Sequence, residues 1–343
     1  MLQIKTRILI ISVIMLLSNR LIEGQNLGYK KDSIQILFYN VENLFDVSDD
    51  PFTEDDEYTP QGLSGWNQFR YDKKLNRISQ AIISFADYQF PEIIGLCEIE
   101  NKKVVVDLIN ETVLKQASYK IVHKDSPDSR GIDVGLIYDS TMITLLFSEF
   151  LTVHFMDGEY SRDILYLKVK IENDSIHLFV NHWPSRYTGT RNSDKRRIEA
   201  AHILFQKCDS ILRNEINAKL ILMGDFNDEP KDKSVSVITE NNFGQNENRV
   251  MQNLMAEISN GNGTIKYNGM WSVFDQFIVS KSLLHSYNGL NITGNAIIAS
   301  NHFLFHDDDA NLGNMPFRTY NGFKYIGGYS DHLPVKLVVK YGR

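Results

Sequence analysis

Carboxylates, amides and imidazoles recur in this chain where short apolar runs end. Asn40 and Glu42 close "FYNVENLFD", Glu98 and Glu100 close "GLCEIEN", and Asn181 and His182 open "NHWPS". Asp225 and Asn227 lie in "LILMGDFNDEP", and Asp331 and His332 in "YSDHLPV". Oxygen donors of this kind suit a hard cation such as Mg²⁺, which takes one or two protein carboxylates and leaves its other positions to water and substrate phosphate. Histidines among them can move a proton near neutral pH. No cysteine and histidine cluster has zinc spacing, and no P-loop, GxGxxG or GxSxG motif occurs. The chemistry that remains is metal-assisted attack of water on a phosphate ester. Each residue alone has a bland explanation, because Asn and Asp at strand ends commonly cap turns. The joint pattern is what carries the reading.

Such a constellation needs strands to deliver it. The runs "IQILFYNVENLF", "EIIGLCEIEN", "GIDVGLIYD", "DILYLKVKI", "IHLFVNHWPS", "KLILMGDFND", "WSVFDQFIVS" and "SDHLPVKLVVKY" are rich in β-branched and aromatic residues and end in polar ones. Most are apolar at successive positions, as suits strands covered on both faces, whereas "DILYLKVKI" alternates. Two amphipathic stretches, roughly 71–88 and 194–214, are expected to be helices. The sum is a mixed-sheet core of two packed sheets with helices outside, in one domain covering 25–343. Residues at i and i+2 of an extended segment share a side, so Asp225 and Asn227 are expected to face one pocket. Gly224 lets the backbone turn or approach a ligand closely.

The segments "FYNVENLFD", "GLCEIEN", "NHWPSR", "GDFND", "FDQFIVS" and "YSDHLPV", in this order and spacing, resemble the endonuclease/exonuclease/phosphatase (deoxyribonuclease I-like) superfamily, and "NHWPSR" resembles its bacterial secreted branch. The resemblance covers nearly the whole chain after its first residues. It implies a four-layer α/β sandwich, two packed mixed β-sheets flanked by helices, and divalent-metal phosphoester hydrolysis with Mg²⁺, for which Mn²⁺ can substitute. It further implies Glu98 as the principal metal ligand, with Asn40 and Asp331 beside it and Glu42 as a further acidic ligand, and it leaves Glu100 a supporting or structural role. By the same resemblance His182 is an acid or phosphate binder, and Asp225 with Asn227 orients the attacking water and holds the phosphate. His332 serves as base or charge stabiliser, Asp275 orients it, and Arg162 binds phosphate. Arg130 in "SRGIDVG" and Arg186 in "NHWPSR" are further candidates for substrate phosphate. Trp183 and Tyr187 are candidate pocket walls.

Composition sets the remaining bounds. The chain has 343 residues, 43% hydrophobic and 23% charged, enough to bury a large core. Lys5 and Arg7 precede the apolar stretch from Ile8 to Leu17, which is shorter than the roughly 20 residues a membrane span needs. It fits a signal peptide over 1–24, which predicts a secreted or periplasmic protein with no membrane span. With only Cys97 and Cys208, a disulfide framework does not hold the fold, although one bridge between them stays open. The net charge of −7, with acids crowded between Asp46 and Pro60, works against non-specific polyanion binding unless metal ions and local arginines neutralise the phosphates. That acidic segment is either a rim loop or a separate calcium site. The expected partner is a phosphoester substrate, DNA or RNA among the choices, and no stable protein partner is inferred. The leading reading is a nuclease-like phosphodiesterase. A phospholipid or sphingomyelin phosphodiesterase, and a non-catalytic binding module on the same scaffold, are the alternatives.

Overall fold

The structure is a computed structural model, and it describes residues 31–186, 190–240, 251–258, 262–284 and 289–342. The expected signal segment and Tyr187 lie outside these residues. Residues 34–343 cluster as one compact unit.

Two large sheets form its centre. The first has the order β13-β19-β1-β2-β4-β3, with β14 beside β19. Here β1 is Ser33–Leu44, β2 Ile93–Ile99, β3 Tyr119–His123 and β4 Asp133–Asp139; Gly289–Ile292, Ile297–Ile298 and Val335–Gly342 are β13, β14 and β19. The second has the order β5-β6-β7-β8-β12-β9. Its strands are β5 Ile143–Leu151, β6 Ile164–Ile171, β7 Asp174–His182, β8 Leu220–Asp225, β9 Met251–Asn253 and β12 Asp275–Ser280. Short ribbons lie between, with β10 (Ile265–Tyr267) on β11 (Met270–Ser272), β15 (Phe305–Asp307) on β16 (Asn314–Pro316), and β17 (Tyr320–Asn321) on β18 (Lys324–Tyr325). Parallel pairing of β1 with β2 and of β7 with β8, amid antiparallel neighbours, makes both sheets mixed.

Three apolar clusters make the layers visible. Ile36 and Phe38 of β1 bury with Leu178 and Val180 of β7 and Ile221 and Met223 of β8, between the sheets. Leu37 and Tyr39 bury instead with Leu75, Ile78 and Ile82 of helix α1 (Gln68–Phe85) and with Val105 and Leu108 of helix α2 (Lys102–Asn110). Phe179 and Leu222 bury with Leu204, Cys208 and Leu212 of helix α3 (Thr190–Asn214). Period-2 alternation thus sorts each strand's residues between an inter-sheet core and a helix-facing core, giving the four-layer α/β sandwich.

Helix α1 starts three residues earlier than its apolar pattern predicts because the Asn67 side chain caps it by accepting from Arg70 N, and it ends at Phe85 rather than 88. Left-handed Asp87 and Tyr88 break the helical run there. Cys97 and Cys208 are both free and buried, in different layers. No described helix is long and apolar enough to cross a membrane.

Candidate active site

Five segments carry polar residues out of the inter-sheet core at one rim. On β7, Leu178 and Val180 face the core, so alternation sends His182 the same way; on β8, Ile221 and Met223 do the same for Asp225, and on β12 Phe277 and Val279 for Asp275. On β1, Ile36 and Phe38 bring Asn40 inward. His332 comes from the segment before β19 and bridges Ile265 of β10.

Glu98 breaks this rule. Ile94 and Leu96 of β2 face the helices, so strict alternation would send Glu98 outward as well. The β2 register instead shifts between Cys97 and Ile99, and Glu98 adopts φ +59°. A bulge with a left-handed residue re-aims one side chain, and here it turns Glu98 towards the rim. Asn43 (φ +49°) and Asn227 (φ +50°) are left-handed too, a concentration of backbone strain at one place.

Asp225 is the centre of the arrangement. Its Oδ2 accepts from Asn40 Nδ2 at 3.0 Å and its Oδ1 from Asn227 N at 2.9 Å. Asn40 Nδ2 also donates to Glu98 Oε1 at 3.2 Å, while Asn43 N donates to Glu98 Oε2 at 2.9 Å. His182 Nε2 lies 3.7 Å from Asp225 Oδ2 and 3.8 Å from Glu98 Oε1. His332 Nε2 lies 3.8 Å from Asp225 Oδ2, and its Nδ1 sits 2.7 Å from Asp275 Oδ2. The 3.7 and 3.8 Å separations exceed a hydrogen bond, so both imidazoles flank the Asp225 carboxylate without bonding to it directly.

Burial and neighbouring charge set the protonation states. Burial pushes Asp225 up to about 7; the His332 charge opposes this, and Asp275 and Glu98 add to it. Burial works against a charge on His332, yet Asp275 and Asp225 outweigh it and raise the imidazole well above its ordinary value. His182 moves the other way, held well below its ordinary value by burial and by Arg162, Arg130 and His332. Burial also opposes ionised Glu98, but Arg130, His332 and its two hydrogen-bond donors leave it below the usual carboxylate range. One imidazole is therefore pushed towards its charged form and the other towards its neutral form beside the same carboxylate.

The remaining candidates are distributed differently. Asn40 and Glu42, expected on one side, part company because Glu42 takes φ +52°. Its Oε2 accepts from Thr319 N at 2.6 Å, and it lies 3.7 Å from Lys74 Nζ and 3.6 Å from Arg318 Nε. Asp331 is partly exposed and pairs with Arg318 Nη2 at 3.2 Å. Asn227 donates through Nδ2 to Trp183 O at 3.0 Å. Arg162 is buried, with Nη1 on Asp128 Oδ2 (3.1 Å) and Nη2 on Trp183 O (2.7 Å), so it braces the backbone between His182 and the loop after β3. Arg130 is exposed on that loop and donates to Asn43 Oδ1 at 2.8 Å, beside Glu98. Arg186 clamps the segment after Asp225, donating to Asn227 O (2.9 Å) and to Asp228 (2.8 Å) and Asp232 (2.6 Å). Trp183 is buried edge-on against Phe226. Glu100 points to the acidic segment, where its Oε2 accepts from Asp46 N. Gly224 serves a close approach to β7 rather than to a ligand: a Cβ there would lie 2.4 Å from Asn181 O. Arg318 and Lys74 went unread in the sequence. Neither sits in a motif: Lys74 reaches Glu42 from helix α1, and Arg318 from a loop more than 200 residues further along the chain.

Cation binding is compatible with these residues. Asp225, Asp275 and His332 each offer a ligand atom within 4.8 Å of the others, and the Glu98 carboxylate shares the Asn40 Nδ2 donor with Asp225. Asp225 is raised chiefly by burial, with Asp275 and Glu98 adding to it, and a hard cation beside a buried carboxylate favours its charged form.

The sequence profile described as "Endonuclease/Exonuclease/phosphatase family" matches residues 35–341. No curated protein sequence matches the chain. Among solved structures, a mannosyl-6-phosphatase of Bacteroides thetaiotaomicron is similar at a TM-score of 0.57 and 15% identity, over 90% of this chain and 100% of that one. The human nocturnin catalytic domain with bound sulfate is similar at 0.55 and 15%, over 90% and 95% of the two chains. D. rerio TDP2 complexed with a single-strand DNA product follows at 0.52 and 14%, over 90% and 100%. At such identities these likenesses speak for the fold alone.

Proposed function

The chain belongs to the endonuclease/exonuclease/phosphatase family, and from that premise we propose that it is an exported, Mg²⁺-dependent hydrolase that directs water at a phosphodiester. The observation that carries this reading is the meeting of Asn40, His182 and His332 at Asp225 Oδ2, at 3.0, 3.7 and 3.8 Å. Asp225, poised near neutral by burial, accepts the proton of the attacking water. His332, charged and held through Nδ1 by Asp275, faces the phosphoryl oxygens with Nε2–H and stabilises their developing charge. Neutral His182 donates or accepts a hydrogen bond at the same phosphate. Exposed Arg130 is the cation best placed to meet substrate. Arg162 and Arg186 hold the backbone around His182 and Asn227. Glu98, with Asn40 and Asp331, would hold Mg²⁺, which when bound neutralises phosphoryl oxygen charge and favours hydroxide over water. A bare binding module has no use for two imidazoles of opposite protonation preference at one carboxylate.

A second reading, hydrolysis of a small phosphomonoester, is favoured by one feature. The acidic segment is tied to the Arg130 loop by Glu54 N donating to Ser129 O at 2.8 Å, which sets acids beside the Arg130 loop, where they repel a long polyanion. One assay separates these readings: hydrolysis of DNA, RNA, sphingomyelin, bis-p-nitrophenyl phosphate and p-nitrophenyl phosphate, with Mg²⁺ or EDTA, by the parent and by Asp225→Asn. Metal-dependent cleavage of a diester that Asp225→Asn abolishes is expected. Turnover of the monoester alone moves the assignment to the second reading, and activity indifferent to both metal and Asp225 sinks both. Export is checked by sequencing the N-terminus of the natural product, expected near residue 25; an intact Met1 defeats it.

A further inference from the structure

A separate cavity of about 330 Å³ lies between the acidic segment after β1 and the loop joining β3 to β4. Its walls carry Asp50, Glu100, Asp125, Asp128 and Asp133, and no lysine or arginine. Two of these acids are already served. Asp128 binds Arg162, and Asp133 accepts from Ser126 N at 2.8 Å and faces His123 Nε2 at 3.3 Å. Glu100 is not. It is 8% exposed, its Oε2 takes only the Asp46 amide, and its Oε1 accepts no hydrogen bond among the described residues. Thr53 Oγ1 and Ser126 Oγ, in the same walls, are buried and without partners. Unpaired buried oxygens are rare in folded proteins because each gives up its hydration without replacement, so these two hydroxyls, in the same walls as Glu100, mark a place for a ligand.

We propose that this cavity binds one Ca²⁺ ion, anchored by the Glu100 carboxylate, with Asp50 and Asp133 as further acidic ligands and the Thr53 and Ser126 hydroxyls among its neutral ones. Mixed charged and neutral oxygens from loops suit Ca²⁺, which takes six to eight in irregular geometry, better than Mg²⁺, which demands a compact octahedron. The ion joins two loops that already touch. Glu54 N donates to Ser129 O, and Gly131 packs so closely on Thr53 that a Cβ would lie 2.8 Å from it. The second of these loops carries Asp128, which holds Arg162, and Arg130, which reaches Asn43 beside Glu98. Ca²⁺ therefore fixes the platform from which Arg130 meets the candidate active site.

The test uses the protein carrying Glu98→Gln, to suppress cation uptake at the active site, titrated with CaCl₂ by calorimetry. One equivalent of Ca²⁺ is expected to bind, to raise Tm and to slow tryptic cleavage after exposed Arg130. Adding Glu100→Gln should weaken binding at least about tenfold, a loss of one acidic ligand. Adding Asp50→Asn, at an exposed position that cannot unfold the core, should do the same. The proposal is overturned if the Glu98→Gln protein takes up no Ca²⁺, or if both added substitutions leave its affinity unchanged. Uptake of Zn²⁺ but not Ca²⁺, abolished by His123→Asn, equally overturns it in favour of an imidazole site at His123, Asp125 and Asp133.

Discussion

His332 and Asp275 stand 57 residues apart in the chain, yet His332 Nδ1 meets Asp275 Oδ2 at 2.7 Å, both side chains buried. That contact, with Asp225 nearby, raises the His332 pKa against the pull of burial. A group raised in this way contributes stability that is fully present below its unfolded value and lost as pH rises through its folded one. Catalysis that needs the imidazolium follows the same limb. In Asp275→Asn the charge that holds the proton is gone, so the alkaline limb of kcat/KM should move to lower pH, and the rate at neutral pH should fall by roughly a hundredfold, about 2.7 kcal/mol. A pH profile superimposable on the parent's would remove His332 from the reaction.

Asp225→Asn and His332→Ala should each raise the barrier by several kcal/mol, at about tenfold in rate per 1.4 kcal/mol. Because both groups address one water and one phosphate, the double mutant should be far less impaired than the product of the two losses. Steady-state rates of all four proteins, with circular dichroism to confirm folding, decide this; strictly multiplicative losses mean that the two residues act independently.

Glu98→Gln keeps the shape of the side chain and its capacity to accept from Asn40 and Asn43, while removing the charge. Activity should drop by about two orders of magnitude or more and recover in part at high Mg²⁺ or Mn²⁺. EDTA should abolish parent activity. Equal activity of the two proteins across all metal concentrations would falsify Glu98 as the principal ligand.

Arg130 and Arg162 should separate cleanly. Arg130 is exposed, so Arg130→Ala should raise KM several-fold at unchanged Tm. Arg162→Met leaves Asp128 buried without its cation and Trp183 O without its donor, so it should destabilise the fold by about 3 kcal/mol or more. Denaturant titration of both variants tests this. A stable Arg162→Met protein with only a KM defect would make Arg162 the substrate cation instead.

Much of the site was legible because alternation is a local rule. An apolar strand with inward residues at 178 and 180 must send His182 inward if it stays extended, and the same logic delivers Asn40 and Asp225. The helix-flanked pair of packed sheets and the oxygen-rich donor set could likewise be read from spacing and residue type, since period and chemistry travel with the chain, whereas the order of strands within each sheet could not. What the tertiary structure alone decided lies where the backbone leaves that rule. Glu98 reaches the rim through a bulge that reverses its parity, and Glu42 leaves it through a left-handed φ that delivers its carboxylate to Thr319, 277 residues away. Arg162 became a brace because its partners, Asp128 and the Trp183 carbonyl, are brought to it by two other segments, and Arg318 entered beside Asp331 from a loop with no motif. Glu100 left Glu98 for the acidic segment by the same kind of long-range contact, an Asp46 amide 54 residues before it. Left-handed backbone and buried ion pairs persist only when distant packing over-determines them, and no local pattern carries that information.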